Sequence, residues 1–254
     1  MLKKRIIPVQ LLINNRLVKT IQFDQYREVG NPVSSSKIYN DSDADELVFL
    51  NINRDKRSVE PMLSLIEKVS EVCFMPLALG GGIHNLDDAA KLINNGADKV
   101  VINSEVYRDR AIIRRIADRF GNQAVIVSID VRKDPVSGSY LLYSDCGKQR
   151  EKVELEEHVI TCVEYGAGEI FINSIDLDGT MQGYDIDLIQ RVTKCSNVPV
   201  IGCGGAGTFN HLKDAFLKTM TSAVGCGSLF NFGDNNPIRA KAFLSNYDIP
   251  FKVI

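Results

Sequence analysis

The sequence predicts a (β/α)8 barrel, a closed ring of eight parallel strands surrounded by helices. The first observation is a repeat: the segment PLALGGGIHNLDDAAKLINNGADKVVINSEVY at 76–107 returns, 123 positions later, as PVIGCGGAGTFNHLKDAFLKTMTSAVGCGSLF at 199–230. The second is the alternation of continuous apolar runs with amphipathic segments of helix length, which indicates parallel strands covered by helices. The third is the length of 254 residues, the usual size of one such barrel.

Eight strand patterns and eight helix patterns follow one another along the chain. The first strand is the apolar run after the basic KKR, and the later strands are apolar runs bounded by glycine or polar residues. The strands are predicted at 5–13, 46–52, 75–79, 99–103, 124–130, 169–175, 198–201 and 222–226. Helices are predicted near 32–43, 59–72, 85–95, 108–119, 155–165, 184–195, 208–217 and 236–246.

The sequence also predicts one insertion in the barrel, and it leaves one alternative fold to weigh. Residues 134–151, where Pro-Val-Ser-Gly is followed by Ser-Tyr-Leu-Leu-Tyr-Ser, predict a small hairpin after the fifth strand. An open doubly wound sheet is the alternative. Four units in each copy of the repeat favour the closed barrel, because an open sheet needs unlike edge strands. One domain over residues 1–254 is expected.

Composition narrows the class of protein. A hydrophobic content of 44% supplies a sizeable core, while a net charge of -2 and a pI near 6.0 give no reason to propose nucleic acid binding. No apolar run reaches the roughly 20 residues that span a bilayer. Six cysteines without CxxC spacing and three histidines without ligand spacing favour reduced thiols and no metal. A soluble, cytoplasmic protein without a cofactor is expected.

Two glycine clusters occupy the same place in the two copies of the repeat. Gly80-Gly81-Gly82 and Gly204-Gly205 each follow a buried strand and precede a helix. Free backbone amides in such a loop and at the next helix N-terminus favour an anion. The sequence therefore predicts two phosphate sites related by a pseudo-twofold axis. Tight turns without a ligand are the alternative, which the matched positions make less favourable.

Polar residues end several of the predicted strands, at the face where barrels of this class bind their ligands. A carboxylate beside a phosphate loop can serve as a general acid or base. For Asp176 and Asp178, hydrogen bonding within the loop is an equally good interpretation. The candidates at this top face are Asp130, Asn103, Ser104, Asp176, Asp178, Gly227 and Ser228.

Four charged residues open strands at the opposite, bottom face: Arg5, Glu46, Lys99 and Glu169. Lys99 and Glu169 lie an even number of residues from Asn103 and Asn173, so each pair shares one face of its strand. Two cations and two anions can therefore pair inside the bottom of the barrel. A stabilising plug is one interpretation, and a gate that admits a small neutral molecule is the other.

Motifs along nearly the whole chain carry a family resemblance. KKRIIP, NRLVK, DELVFLNI, GGGIHN, GADKVVIN, QAVIVSID, GAGEIFINSIDLDGT and GGAGTFNH resemble the cyclase subunit of imidazole glycerol phosphate synthase, HisF. The resemblance implies a duplicated half-barrel that docks its bottom on a class I glutaminase, receives ammonia through the charged gate and binds a phosphorylated small molecule at the top. It matches Arg5, Glu46, Lys99 and Glu169 to the gate, Asp98 to the glutaminase contact, Lys19 to the substrate-binding loop and Asp130 to a catalytic aspartate.

The second catalytic aspartate of that family is absent. Pro8-Val9-Gln10-Leu11 aligns with Val127-Ser128-Ile129-Asp130, which places Leu11 where the family has its other acid or base. General acid–base catalysis is worth ~10²–10⁴ in rate. Cys203 stands where the family commonly has serine, a milder change, since backbone amides can still hold an anion.

A chain that keeps the four gate residues but lacks the second catalytic aspartate resembles the HisF-like paralogues of bacterial surface-sugar modification. Those paralogues pair with a dedicated glutaminase and are thought to hand ammonia to a sugar amidotransferase that makes an acetamidino group. An ammonia-conducting synthase subunit is therefore the first expectation. An authentic cyclase of histidine synthesis, a lyase, is the alternative, and a non-catalytic scaffold that activates the glutaminase is the third.

Overall fold

The computed structural model describes residues 3–53, 55 and 57–251 and shows a closed (β/α)8 barrel, as the sequence predicts. Over these residues the strands are β1 (Arg5–Ile13), β2 (Arg16–Thr20), β3 (Tyr26–Gly30), β4 (Leu47–Asn51), β5 (Leu77–Gly80), β6 (Lys99–Ile102), β7 (Val125–Lys133), β8 (Tyr140–Ser144), β9 (Gln149–Arg150), β10 (Glu169–Ser174), β11 (Val200–Cys203) and β12 (Ala223–Cys226). Eight of them, β10-β11-β12-β1-β4-β5-β6-β7, pair in parallel, and β10 pairs with β7 to close the ring.

Helices cover the outside of the barrel. They are α1 (Pro32–Asp41), α2 (Glu60–Val69), α3 (Leu86–Asn94), α4 (Ser104–Arg108), α5 (Ala111–Phe120), α6 (Leu155–Glu164), α7 (Ile186–Cys195), α8 (Phe209–Lys218), α9 (Ser228–Asn231) and α10 (Pro237–Leu244). No helix in the described part of the chain is long and apolar enough to cross a membrane.

Three features of the structure differ from the sequence prediction. Strands β2 and β3 form a hairpin between β1 and α1, a segment to which the sequence analysis assigned no element. The predicted hairpin after the fifth barrel strand is present as β8 and β9, but β7 runs past Asp130 to Lys133 and pairs with β8, so the hairpin continues the barrel strand. The fourth helix starts earlier than predicted, because the short α4 precedes α5. Strand β3 is mostly exposed and polar, so its apolar signal is weak.

Side chains alternate between two cores along each barrel strand, as the twofold periodicity of a strand requires. Ile6 and Leu12 of β1 point outward into the core between barrel and helices, whereas Ile7 and Val9 point into the barrel. The interior is mainly apolar in its middle, where it is filled by Ile7, Val9, Val48, Ala78, Val101, Ile126, Phe171, Ile201 and Ala223, with Ser128 and Cys203 nearer the mouth.

The two halves of the barrel also match in strand register. Leu47 pairs with Leu77 in the first half, and Ile170 pairs with Val200 in the second, each 123 positions later. The helices after the glycine loops begin in the same way, because Asn85 accepts from the backbone N–H of Asp88 and Thr208 from that of His211. The duplication therefore extends to hydrogen bonding.

Candidate functional site

A cavity of ≈180 Å³ opens at the carboxyl ends of the barrel strands. Such a position is where (β/α)8 barrels bind their ligands. Most of the candidates from the sequence line it: Leu11, Lys19, Gly81, Gly82, Asn103, Ser104, Asp130, Asp178, Gly204, Gly205, Gly227 and Ser228. Asn173 and Cys203 line it as well.

The paired glycine loops have nearly the same backbone conformation. Gly81 and Gly204 have φ of +89° and +91°, a region that side chains rarely adopt. A Cβ at Gly81 would lie 2.0 Å from the carbonyl oxygen of Asn51, and one at Gly204 would lie 2.5 Å from that of Ser174. Close contact with the preceding strand therefore requires glycine in both loops, whether or not an anion binds.

Asp130 is a buried carboxylate at the centre of the mouth. Burial raises its pKa to about 7, although hydrogen bonds from Asn173 and Asn103 favour the ionised form. The Nδ2 of Asn103 donates to its Oδ2 at 2.8 Å. A carboxyl group with this pKa can take or give a proton near neutral pH.

Leu11 occupies the equivalent place in the first half. Asp130 pairs with Asn173 of β10 in parallel and with Tyr143 of the antiparallel β8. Leu11 likewise pairs with Leu50 of β4 in parallel and with Val18 of the antiparallel β2. In the first half, leucine therefore stands both where the second half has the carboxylate of Asp130 and where it has the amide of Asn173. The place of Leu50 was not predicted from the sequence, although its offset of 123 from Asn173 was a signal for it.

Lys19 reaches the mouth from the unpredicted hairpin. Its side chain is 7% exposed, and its Nζ donates to the carbonyl oxygen of Val9 at 2.5 Å. Burial lowers the pKa of Lys19 to about 8, against the attraction of Asp178. Thr20 donates to the Oδ2 of Asp178 at 2.7 Å, which fastens the hairpin to the loop after β10.

Asp176, by contrast, does not line the cavity. Its Oδ2 accepts a hydrogen bond from the backbone N–H of Lys133 at 2.8 Å, and its Oδ1 lies 3.5 Å from Arg132. These contacts fix the loop after β10 to the extended end of β7. Hydrogen bonding within the loops explains Asp176 without a ligand.

The turn between β8 and β9 folds over the mouth near the first glycine loop. The backbone N–H of Asp145 donates to the Oγ of Ser104 at 3.0 Å, and Asp145 forms an ion pair with Arg57. Arg57 also donates to the Sγ of Cys146 at 2.8 Å. Sequence analysis did not find these contacts, because they join residues about 40 and 90 positions apart with no shared motif.

The four charged residues at the bottom form a closed ring. Arg5 binds Glu46 at 2.8 Å and Glu169 at 2.5 Å, and Lys99 binds the same two carboxylates at 2.8 and 2.6 Å. Burial raises the pKa of Glu46, whose Oε1 has no hydrogen-bond partner. Burial has the same tendency at Glu169, but the donors from Arg5 and Lys99 outweigh it and lower its pKa. The next inward residue on each of these strands is apolar, so the ring closes a hydrophobic interior.

Asp98 lies at the bottom rim of the barrel, where it is exposed beside the ring residue Lys99. Its Oδ2 accepts a hydrogen bond from the backbone N–H of Leu77 at 2.8 Å. Within the described residues no group of His, Cys, Asp and Glu side chains is placed to hold a metal ion.

Comparison with known proteins gives a consistent family. Residues 5–236 match the family described as histidine biosynthesis protein. The chain is 43% identical to the putative imidazole glycerol phosphate synthase subunit hisF2 of Pseudomonas aeruginosa over 91% of this chain and 92% of that protein. It is 40% identical to the imidazole glycerol phosphate synthase subunit HisF of Chloroherpeton thalassium over the full length of both. The barrel, its register-matched halves and these similarities show that the chain belongs to the histidine biosynthesis protein family, among the HisF-like subunits of imidazole glycerol phosphate synthase.

Proposed function

We propose that this chain is the synthase subunit of a glutamine amidotransferase, and that it conducts ammonia from a partner glutaminase through the barrel to an acceptor beyond the mouth. The observation that carries the proposal is the contrast between the two ends of the barrel. The charged ring at the bottom is complete, whereas at the top the second half has the carboxylate of Asp130 and the first half has Leu11 in the equivalent place.

The interior favours a small neutral molecule. Between the ring and the mouth the inward residues are mostly aliphatic or aromatic, with Ser128 and Cys203 as the more polar members near the mouth, so an ion would lose most of its hydration without compensation. Ammonia can cross such a space and ammonium cannot. Passage requires one contact of the ring to open, and Glu46, which has the less favourable hydrogen bonding, is the carboxylate we assign to that movement.

The partner at the bottom is a glutaminase of class I, docked around Asp98 and the ring. The relatives support this assignment, because their names place them as subunits of a synthase. The acceptor at the top is a sugar that receives an acetamidino group on a separate amidotransferase. The phosphate loops would hold a phosphorylated metabolite at the mouth.

Reconstitution with the glutaminase from the same host tests the proposal. Glutamine labelled with ¹⁵N in its amide is supplied, and label is measured in free ammonia and in sugar acceptors after adding a sugar amidotransferase from the same host. Transfer of label to the sugar in preference to free ammonia is expected. Stimulated glutamine hydrolysis with all label in free ammonia would leave only the scaffold function.

The histidine cyclase is the second candidate. Full-length identity of 40% to a HisF subunit and the retained Asp130 with its pKa near 7 favour it. Rescue of a histidine auxotroph lacking its own cyclase would establish this activity and overturn the first proposal. We expect no rescue, because Leu11 can neither donate nor accept a proton.

A further inference from the structure

Lys19 is a buried amine in the mouth that ammonia conduction does not use. Its Nζ makes one hydrogen bond, to a carbonyl oxygen, and forms no ion pair with any carboxylate of the described residues. The other buried lysine, Lys241, binds Asp43 and Asp45, and the ring residue Lys99 binds two glutamates. We propose that Lys19 is a reactive amine that forms an imine with a phosphorylated aldehyde or ketone held in the mouth.

A glycine provides the space for this amine. A Cβ on Gly227 would lie 2.6 Å from the Nζ of Lys19. In the register of the two halves Gly227 is the counterpart of Asn103, as Gly225 is of Val101, so the lysine head fills space that an asparagine side chain fills beside Asp130. The position of the amine is therefore fixed by the fold and is not an accident of a surface side chain.

The surroundings of Lys19 favour the uncharged amine. Asp178, the carboxylate that attracts the amine, is already hydrogen-bonded by Thr20. Burial brings the pKa of Lys19 to about 8. At pH 7 this gives roughly a tenth of free amine, against less than about a thousandth for an ordinary lysine. Desolvated lysines of this kind are the ones that form Schiff bases.

The ligand class follows from the neighbours of the amine. The glycine loop at Gly204 and Gly205 and the side chain of Ser228 line the same cavity as Lys19, and we assign them an anion. The Nζ lone pair forms a bond to the carbonyl carbon, and the carbonyl oxygen then leaves as water. Lysine ammonium and carbonyl compound thus give iminium and water, with no oxidant or reductant.

Labelling of the full-length protein tests the proposal. Pyridoxal 5′-phosphate is added at limiting concentration at pH 7, borohydride reduces the imine, and the modified lysines are mapped by peptide mass spectrometry. We expect Lys19 to react at least about tenfold faster than the exposed lysines, and Lys241 to stay unmodified. The rate should level off near pH 8, as set by burial together with Asp178, Cys203 and Cys226 around the amine.

Four controls accompany the labelling. Lys19→Arg keeps the charge and should abolish the rapid labelling at this position. Gly227→Ala should slow the labelling of Lys19 by displacing its amine. Pyridoxal without phosphate should react slowly, and inorganic phosphate should inhibit. Label spread evenly over surface lysines, or equal rates with pyridoxal and its phosphate, would overturn the proposal. The labelling rates do not depend on ammonia transfer, so this proposal can fail while the proposed function holds. The labelling of the wild-type chain decides whether Lys19 is reactive even if a variant fails to fold.

Discussion

Asp130 shows at the scale of one residue how a buried carboxylate costs stability. Its pKa is about 7 in the folded protein and close to 3.9 in an unfolded chain. Because the folded pKa is the higher one, the contribution of Asp130 to stability is fully present below about pH 4 and is lost as the pH rises through 7.

Asp130→Asn should therefore stabilise the protein above pH 7. The shift of about three units corresponds to at most about 4 kcal/mol, and the gain should vanish near pH 4. Urea unfolding of both proteins from pH 4 to pH 8 measures it. A difference independent of pH would show that Asp130 is not held neutral by burial.

Leu11 leads to a prediction that involves its neighbour. A carboxylate introduced by Leu11→Asp alone would lack the amide that Asn173 offers Asp130, because Leu50 stands in that place. We expect the single variant to give no more than a trace of cyclisation of the histidine-pathway ribotide, and Leu11→Asp with Leu50→Asn to give at least about tenfold more. Turnover in the presence of ammonia measures both. Leu50→Asn alone is the matched control and should be inactive.

The sequence revealed some of these residues and not others, for a physical reason. Asp130, Leu11 and the glycines follow apolar runs, so their places at strand ends could be predicted. The burial of Lys19 could not, because it depends on a hairpin with a largely exposed second strand. Arg57 and Asp145 meet only through the folding of two distant loops.

Each glycine loop is an element whose shape depends on backbone contact. Gly81→Ala should destabilise the protein by at least about 2 kcal/mol, since it combines a strained φ with a Cβ 2.0 Å from a carbonyl oxygen. Gly138→Ala is the matched control, with φ of +71° and open space around the Cβ, and should cost about 1 kcal/mol. Chemical denaturation distinguishes them. Equal losses would mean that the loop can move away from Asn51.

The ring at the bottom joins four strands without filling the core. On the proposed function, Lys99→Ala or Glu46→Ala should leave a folded barrel and uncouple glutamine hydrolysis from ammonia transfer, because charges that act as a gate control passage more than packing. The ratio of glutamine hydrolysed to acceptor aminated should rise at least about threefold. Lys37→Ala, which removes an exposed pair with Asp41, should leave the ratio unchanged. Unfolding with unchanged coupling in the surviving protein would identify the ring as a plug.

The order of elements was predictable because continuous apolar strands and amphipathic helices differ in period. Their extensions were not. Strand β7 continues to Lys133 since β8 supplies hydrogen-bond partners, and pairing between strands leaves no local signature in either sequence.

The whole molecule is a twofold repeat, and anion binding should follow that symmetry. Crystals grown with phosphate should show one ion at Gly81 and Gly82 with Asn103 and Ser104, and a second at Gly204 and Gly205 with Gly227 and Ser228. Backbone amides in loops of equal shape supply the donors. Two sites empty at saturating phosphate would leave the glycines with a purely structural role.

The charged ring also bears on how the two halves find each other. Arg5, Glu46 and Lys99 belong to the first half and together carry one excess positive charge, whereas Glu169 belongs to the second. If the chain were divided before β7, each half would present an unbalanced end, and only the pairing of unlike halves would neutralise both. The charges of the ring therefore favour association of a first half with a second half over association of two identical halves.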